Sequence, residues 1–256
     1  MRRLIRELAP PLAGLAGLIV VWAIVAALTS SKAIPSPAAV WSAFVRGMSN
    51  GTIPRAAVKT LIRLVFSFAV SIVVGTALGF VLALNEFARR SIRPLVVALQ
   101  ITPFIAWLPL AVVWFGLTER AVVFVAIVGA FPSVTLGTIA SFGQVPPILK
   151  RAGRTIGADG WQLYRDVIFP AALPGYVSGL QQAWGFAWKA LMAGELITAG
   201  LRATGLGQLL GRSQNDVPTL VAAVGVIVLI GVAVEYLVFV PIDRRIRGRR
   251  GLIVTG

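Results

Sequence analysis

Residues 150–175 read KRAGRTIGADGWQLYRDVIFPAALPG, a polar interval in a chain that is otherwise apolar. Hydrophobic stretches of membrane length flank it, over 121–142 and 173–199. The interval holds no His, no Cys and no nucleophile beside a base, so it offers no chemistry of its own. Its position between two apolar runs marks it as a loop joining two spans. Several such runs exceed the roughly 18 apolar residues that flag a transmembrane helix.

Composition agrees. Of 256 residues, 57% are hydrophobic and 13% charged, where a soluble domain carries about a quarter charged residues. Mean hydropathy is +0.87. Strand-period alternation is absent, which argues against an outer-membrane barrel. The reading is an all-α polytopic membrane protein. The chain lacks both Cys and His, which removes disulfides, thiol catalysis and the commonest acid–base group and metal ligand. A membrane enzyme is therefore disfavoured, although carboxylate chemistry survives.

Six spans are expected, over 12–28, 55–84, 95–117, 121–142, 173–199 and 219–240. Arg2, Arg3 and Arg6 before the first run resemble a signal peptide. The run is long for one, and keeping it gives an even number of spans. The second span is longer than hydrocarbon requires. Its start carries Arg55, Lys59 and Arg63 at four-residue spacing, a stripe expected at the interface or outside it. Net charge is +15, which in a soluble protein suggests nucleic acid. Here it is assigned to loops on one side of a membrane. Fifteen of the 24 Lys and Arg fall in the N-terminus, the loop after the second span, the 150–170 interval and the C-terminal tail. The positive-inside rule then puts both termini and this interval in the cytoplasm. On the outer side, PAAVWSAFVRGM, within 37–48, reads as a short amphipathic helix between prolines.

The interval also carries a motif. A small-residue helix is followed by a Gly, then by an apolar residue and Pro. Arg151-Ala152-Gly153 stand where importer permeases carry Glu-Ala-Ala. Gly157 stands at the motif's Gly, and Ile168–Pro170 and Leu173-Pro174 at its end. The chain resembles the inner-membrane permease of a binding-protein-dependent ABC importer. TLIRLVFSFAVSIVVGTALGFVLAL (60–84), TPFIAWLPLAVVWFGLTE (102–119) and GFAWKALMAGELITAGLRATGLGQLL (185–210) resemble its nitrate, sulfonate, taurine and bicarbonate branch. The resemblance covers 55–245 and implies the type I importer permease fold with six transmembrane helices. The whole chain, 1–256, is then one transmembrane domain, with a permease core over 55–245 and a coupling segment over 148–170. The motif's Glu is Arg151 here, so any ion pair that Glu makes in relatives is absent or reversed.

The resemblance implies that Arg151, Ala152, Gly153, Arg154, Gly157, Ala158 and Asp159 face a groove on a separate ATPase. Trp161, Leu163, Tyr164 and Ile168 are expected at the membrane surface. Without the resemblance, an amphipathic loop lying on the membrane would be the preferred explanation of the interval. A Walker A motif needs Gly-x4-Gly-Lys-Ser/Thr, and the nearest approach, GLGQLLGRS at 205–213, has the wrong spacing and Arg212 for Lys. No cofactor is expected in this chain; ATP and magnesium belong to the partner. Expected partners are ATPase subunits, a second copy of the permease, an extracytoplasmic binding protein and membrane lipid, with no nucleic acid. Localisation is the bacterial inner membrane.

Ionisable residues inside spans carry functional weight. Lys189 stands near the middle of the fifth span, available to an anion in transit or to Glu235. Glu195 lies six residues on, about 240° around the helix, so the two are not a local pair. A structural role near the outer gate suits Glu195 better than substrate contact. Gln100, Thr102, Trp107 and Trp188 are further candidates for the pathway, and interface or packing roles explain the tryptophans as readily. Gly75/Gly79 and Gly175/Gly179 have the spacing of close helix approach. Pro103, Pro109 and Pro132 lie inside spans, so TPFIAWLP reads as an interrupted helix. The competing reading, a stand-alone transporter or channel, is disfavoured by the lack of an inverted repeat.

Overall fold

The computed structural model describes residues 2–29, 33–200 and 205–248. Arg249 and Arg250 of the C-terminal tail lie outside the described residues, as do the side chains of Arg2, Arg3, Arg6 and Arg247. The chain is helical, with no strand among the described residues. Its helices are α1 (Arg2–Thr29), α2 (Pro37–Ser49), α3 (Thr52–Leu84), α4 (Glu86–Ile101), α5 (Leu108–Phe115), α6 (Glu119–Gly143), α7 (Pro147–Thr155), α8 (Gly160–Leu163), α9 (Phe169–Ile197), α10 (Leu206–Arg212), α11 (Val217–Val234) and α12 (Val240–Gly248). A π turn, Tyr164–Ile168, joins α8 to α9, and another, Glu235–Phe239, joins α11 to α12.

Each expected span coincides with a helix or a helix pair. By length and composition, α3, α6 and the continuous Val217–Ile246 helix can each cross a membrane alone. The third expected span is not one helix: α4 and the Phe104–Phe115 stretch meet at 95°. Thr102 is extended, at φ −61° and ψ 123°, because Pro103 disfavours helical geometry in the residue before it. A single 3₁₀ turn, Phe104–Trp107, then leads into α5, where Pro109 sits in the first turn and costs no hydrogen bond. α9 is long enough, at 29 residues, but Gln181, Gln182, Lys189 and Glu195 keep it below an apolar span. The described apolar part of α1 is short, Ala16–Thr29.

α6 is the centre, with α3 and α9 packed against it. Small residues make this possible. A Cβ on Gly79 would sit 2.6 Å from the Thr138 Cβ, and one on Gly137 would sit 3.0 Å from the Gly179 Cα. Backbones this close gain dispersion that lipid cannot supply, so Gly75, Gly79, Gly175 and Gly179 serve packing. The buried face of α3 runs Ala56, Thr60, Arg63, Ser67, Ser71, Gly75, Gly79. Its exposed face carries Val58, Ile62, Val65, Phe66 and Val73. The small and polar side is inside and the large apolar side is outside, as suits a helix in lipid.

Candidate functional site: a coupling segment and a buried charge clamp

The 148–170 segment, expected to couple to an ATPase, is built on glycines and a small core. α7 starts at Pro147 and ends where Gly157 N–H bonds Arg154 O (3.0 Å) and Ala158 N–H bonds Gly153 O (3.0 Å). This reversal needs a left-handed residue, and Gly157 has φ +87°. Gly160, at φ +53°, turns the chain again into α8. Beneath lie buried Val145, Leu163, Ile168 and Ala172. Gly153 is buried too; a Cβ there would approach Leu163 Cδ1 to 2.7 Å. Gly153 therefore closes the segment on itself and is not on its outer face. Leu163 and Ile168 correct the expectation of a membrane-surface position, because the segment needs their bulk for its own core. Trp161 does stand out at 63% exposed.

Arg151, Ala152, Arg154, Gly157 and Asp159 are exposed, and Ala158 is half-buried. No acidic group pairs with Arg151 among the described residues. Ile156, 83% exposed, adds an apolar tip beside these charges. Two short helices with an exposed mixed surface, held at fixed pitch by two glycine turns, form a knob.

Near the opposite end of α3 is a buried charge clamp. The side chain of Glu195 has no exposed surface. Arg63 Nη1 donates to its Oε1 at 2.7 Å and Thr60 Oγ1 lies 2.9 Å from its Oε2. Gly207 N–H, at the start of α10, donates to Oε2 at 2.9 Å. Leu206 N–H donates to Thr60 Oγ1 (2.8 Å), and Arg63 Nη2 reaches Glu119 Oε1 (2.8 Å). α3, α6, α9 and α10 are thus tied at one point. Buried Gln208 completes the tie, accepting from Gly205 N–H at 2.7 Å and donating to Thr198 Oγ1 at 3.1 Å. Charges removed from water need such saturation. Arg63 corrects the expectation of an interfacial stripe: Arg55 and Lys59 are exposed, but Arg63 is buried. The missed signal was the spacing of Thr60 and Arg63 on the same small-residue face as Ser67, Ser71 and Gly75.

The remaining candidates lie on three elements. Gln100 is half-buried on α4, and Thr102 at its end donates to Ala98 O (2.8 Å). The indole N–H of Trp107 is buried with no acceptor among the described residues. On α9, Trp188 packs against the core around Leu191 and Ala187. Lys189 is exposed and shares a helix face with exposed Ser178 and Gln182, four and eleven residues from the first of the three. Glu235 is hydrogen-bonded by Gln181 and not by Lys189.

Residues 71–248 match the family model described as "binding-protein-dependent transport system inner membrane component". The chain belongs to this family. The permease is 28% identical to the taurine transport system permease protein of Escherichia coli over 231 residues, 88% of this chain and 83% of that one. It is 25% identical to the bicarbonate transport system permease protein of Synechococcus elongatus, covering 88% and 84% of the two chains. The nitrate import permease protein of Synechocystis is 27% identical, covering 80% and 77%. Among solved structures, the inward-facing MetNI methionine ABC transporter superposes with a TM-score of 0.65 at 21% identity, covering 77% of this chain and 97% of that one. An amino acid ABC transporter gives 0.58 at 18% identity, covering 80% and 97%. The fold is that of type I importer permeases, and the chain is a transport subunit of an inner-membrane ABC importer.

Proposed function

We propose that two identical copies of this permease form the pathway for a small oxyanion-bearing solute. Each copy takes work from a separate ATPase through the 148–170 knob. An extracytoplasmic binding protein delivers the solute, ATP and magnesium sit on the ATPase, and both termini are cytoplasmic. The carrying observation is the knob: exposed Arg151, Arg154 and Gly157 stand on a buried core pinned by Gly153. A loop merely resting on lipid has no use for charges presented on a rigid glycine-turned support. Positive loops support the orientation. Relatives named for taurine, bicarbonate and nitrate support the substrate class, since each of those solutes carries a negative oxygen group. Lys189, exposed on α9, is the cation this reading assigns to meet such a group.

Gly157→Arg tests the knob. Its φ of +87° disfavours any side chain by about 1–2 kcal/mol, while a Cβ there meets no neighbouring atom. The variant is expected to insert and fold, yet to lose binding-protein-stimulated ATP hydrolysis and uptake in proteoliposomes holding ATPase and permease. Normal uptake by it removes the coupling assignment. Lys189→Ala is expected to weaken uptake of taurine, nitrate or bicarbonate about tenfold, the loss of one charge-assisted contact, with assembly unchanged; unaltered uptake kinetics take Lys189 out of the pathway. Uptake by the permease alone, with no ATPase present, would favour the stand-alone transporter instead.

A further inference from the structure

Two cavities meet beside the knob, and their chemistry is opposite. One, of about 370 Å³, is lined by Arg89 from α4, Lys150 and Arg154 from α7, and Asp159 and Tyr164. Three cations against one carboxylate leave it positive, although Arg89 also pairs with Glu86. A further cavity, of about 470 Å³, adjoins it across Arg89 and adds Arg90 and Arg93, with Glu86 paired to Arg90 at 2.8 Å. The other is an apolar groove of about 540 Å³ between α3 and α9, walled by Ile72, Val73, Ala77 and Leu173. Of its three hydroxyls, those of Thr76 and Tyr176 bond each other at 2.7 Å and that of Thr138 donates to Val134 O at 2.8 Å, so the wall offers little to a polar solute.

The groove passes into the basic cavity within one turn of three separate elements. On α3 the lining moves from Phe80 to Ala83; on α6 Phe142 borders both; at the head of α9 it moves from Phe169 to Ile168. Phe80, Phe142 and Phe169 form the waist, with ring centroids 5.2–5.7 Å apart. Exposed Trp161 rests edge-on against Phe169 at 6.1 Å, and an exposed indole next to an apolar groove marks headgroup depth. An amphiphile with an anionic head and an apolar tail fits both halves. A soluble anion would leave the groove unfilled.

We propose that this cleft binds one anionic phospholipid, its phosphate among Arg89, Lys150 and Arg154 and an acyl chain in the α3–α9 groove. Basic pockets between membrane helices recognise such headgroups. The leaflet is the cytoplasmic one, a detail that rests on the orientation proposed above; the site itself does not. Lys150 and Arg154 are four residues apart and share one face of α7, whereas Ile148, Arg151 and Thr155 fall on another. The lipid therefore braces the knob on its Lys150–Arg154 side and takes Arg154 from the charges offered to the ATPase, while the face carrying Ile148, Arg151 and Thr155 stays open.

The test uses purified permease–ATPase complex in phosphatidylcholine nanodiscs, titrated with phosphatidylglycerol and read by native mass spectrometry. Wild type is expected to retain phosphatidylglycerol over phosphatidylcholine. Lys150→Gln and Arg89→Gln are each expected to cut that preference by about fivefold, the share of one cation near an anionic surface; Lys150→Arg is expected to preserve it. Ala77→Phe, which fills the groove, is expected to reduce phosphatidylglycerol retention without touching the cations. Equal retention of both lipids overturns the proposal. So does tight binding of glycerol 3-phosphate that Ala77→Phe leaves intact, which would make the ligand a soluble phosphate. Separation of the permease pair by Ala77→Phe would overturn it as well, assigning the groove to a second copy. The readout is lipid occupancy, so the site can stand even if Gly157→Arg refutes coupling.

Discussion

The clamp around Glu195 and the knob around Gly157 treat charge in opposite ways. In the clamp, Arg63 and Glu195 are buried, and bonds from Arg63, Thr60 and Gly207 N–H saturate the carboxylate. In the knob, Arg151 and Arg154 are exposed, and the ion pair nearest to them in sequence, Arg165–Asp166, spans 3.6 Å. A buried pair locks its elements, since any displacement strands a charge in a low dielectric. Exposed charges lock nothing and remain available to a partner. Coupling as proposed above, a push at one face turned into movement of a bundle, would need both: a joint that holds and a handle that is free.

Substitutions can break this contrast. Glu195→Ala has the largest expected effect: it leaves Arg63 buried with only half-exposed Glu119, costing about 3–5 kcal/mol. The measurement is global unfolding of the purified permease in detergent, and a Tm unchanged from wild type would refute the clamp. Glu195→Gln is expected to cost less, because the amide oxygen still accepts from Gly207 N–H. Gly153→Leu comes next. It overpacks the knob against Leu163 and Val167, where even a Cβ would approach to 2.7 and 3.1 Å, at about 1–3 kcal/mol. Hydrogen exchange should rise across α7 and α8 while the clamp helices keep their protection. A uniform rise over the whole chain would show that the two regions are one cooperative unit. Glu119→Gln is the smallest. Its side chain is 57% exposed, so solvent screens the pair with Arg63 to under about 1 kcal/mol. A loss comparable to that of Glu195→Ala would mean that the outer end of α6 is as tightly held as α9.

Much of the fold was legible before any coordinates. The apolar runs located every long helix, and the TPFIAWLP prolines marked the break. The angle of that break was not legible, because it depends on how α4 and α5 pack around α6. The knob's outline was also readable, since glycines at 157 and 160 and the polar interval are local features. Its core was misread: Leu163 and Ile168 look interfacial by spacing, and only packing against Val145 and Ala172 turns them inward. A structural role was expected for Glu195, but its partners lie 132 and 135 residues away, beyond any local pattern.

The amino-acid sequence alone determined that this is a helical membrane protein with a charged, glycine-jointed loop between two spans, because hydropathy and backbone freedom act residue by residue. Tertiary structure alone decided which charges became a lock and which stayed free. Whether Arg63 meets Glu195 or water depends on the approach of α3 to α9 and α10, a distance set by close packing and by no single residue.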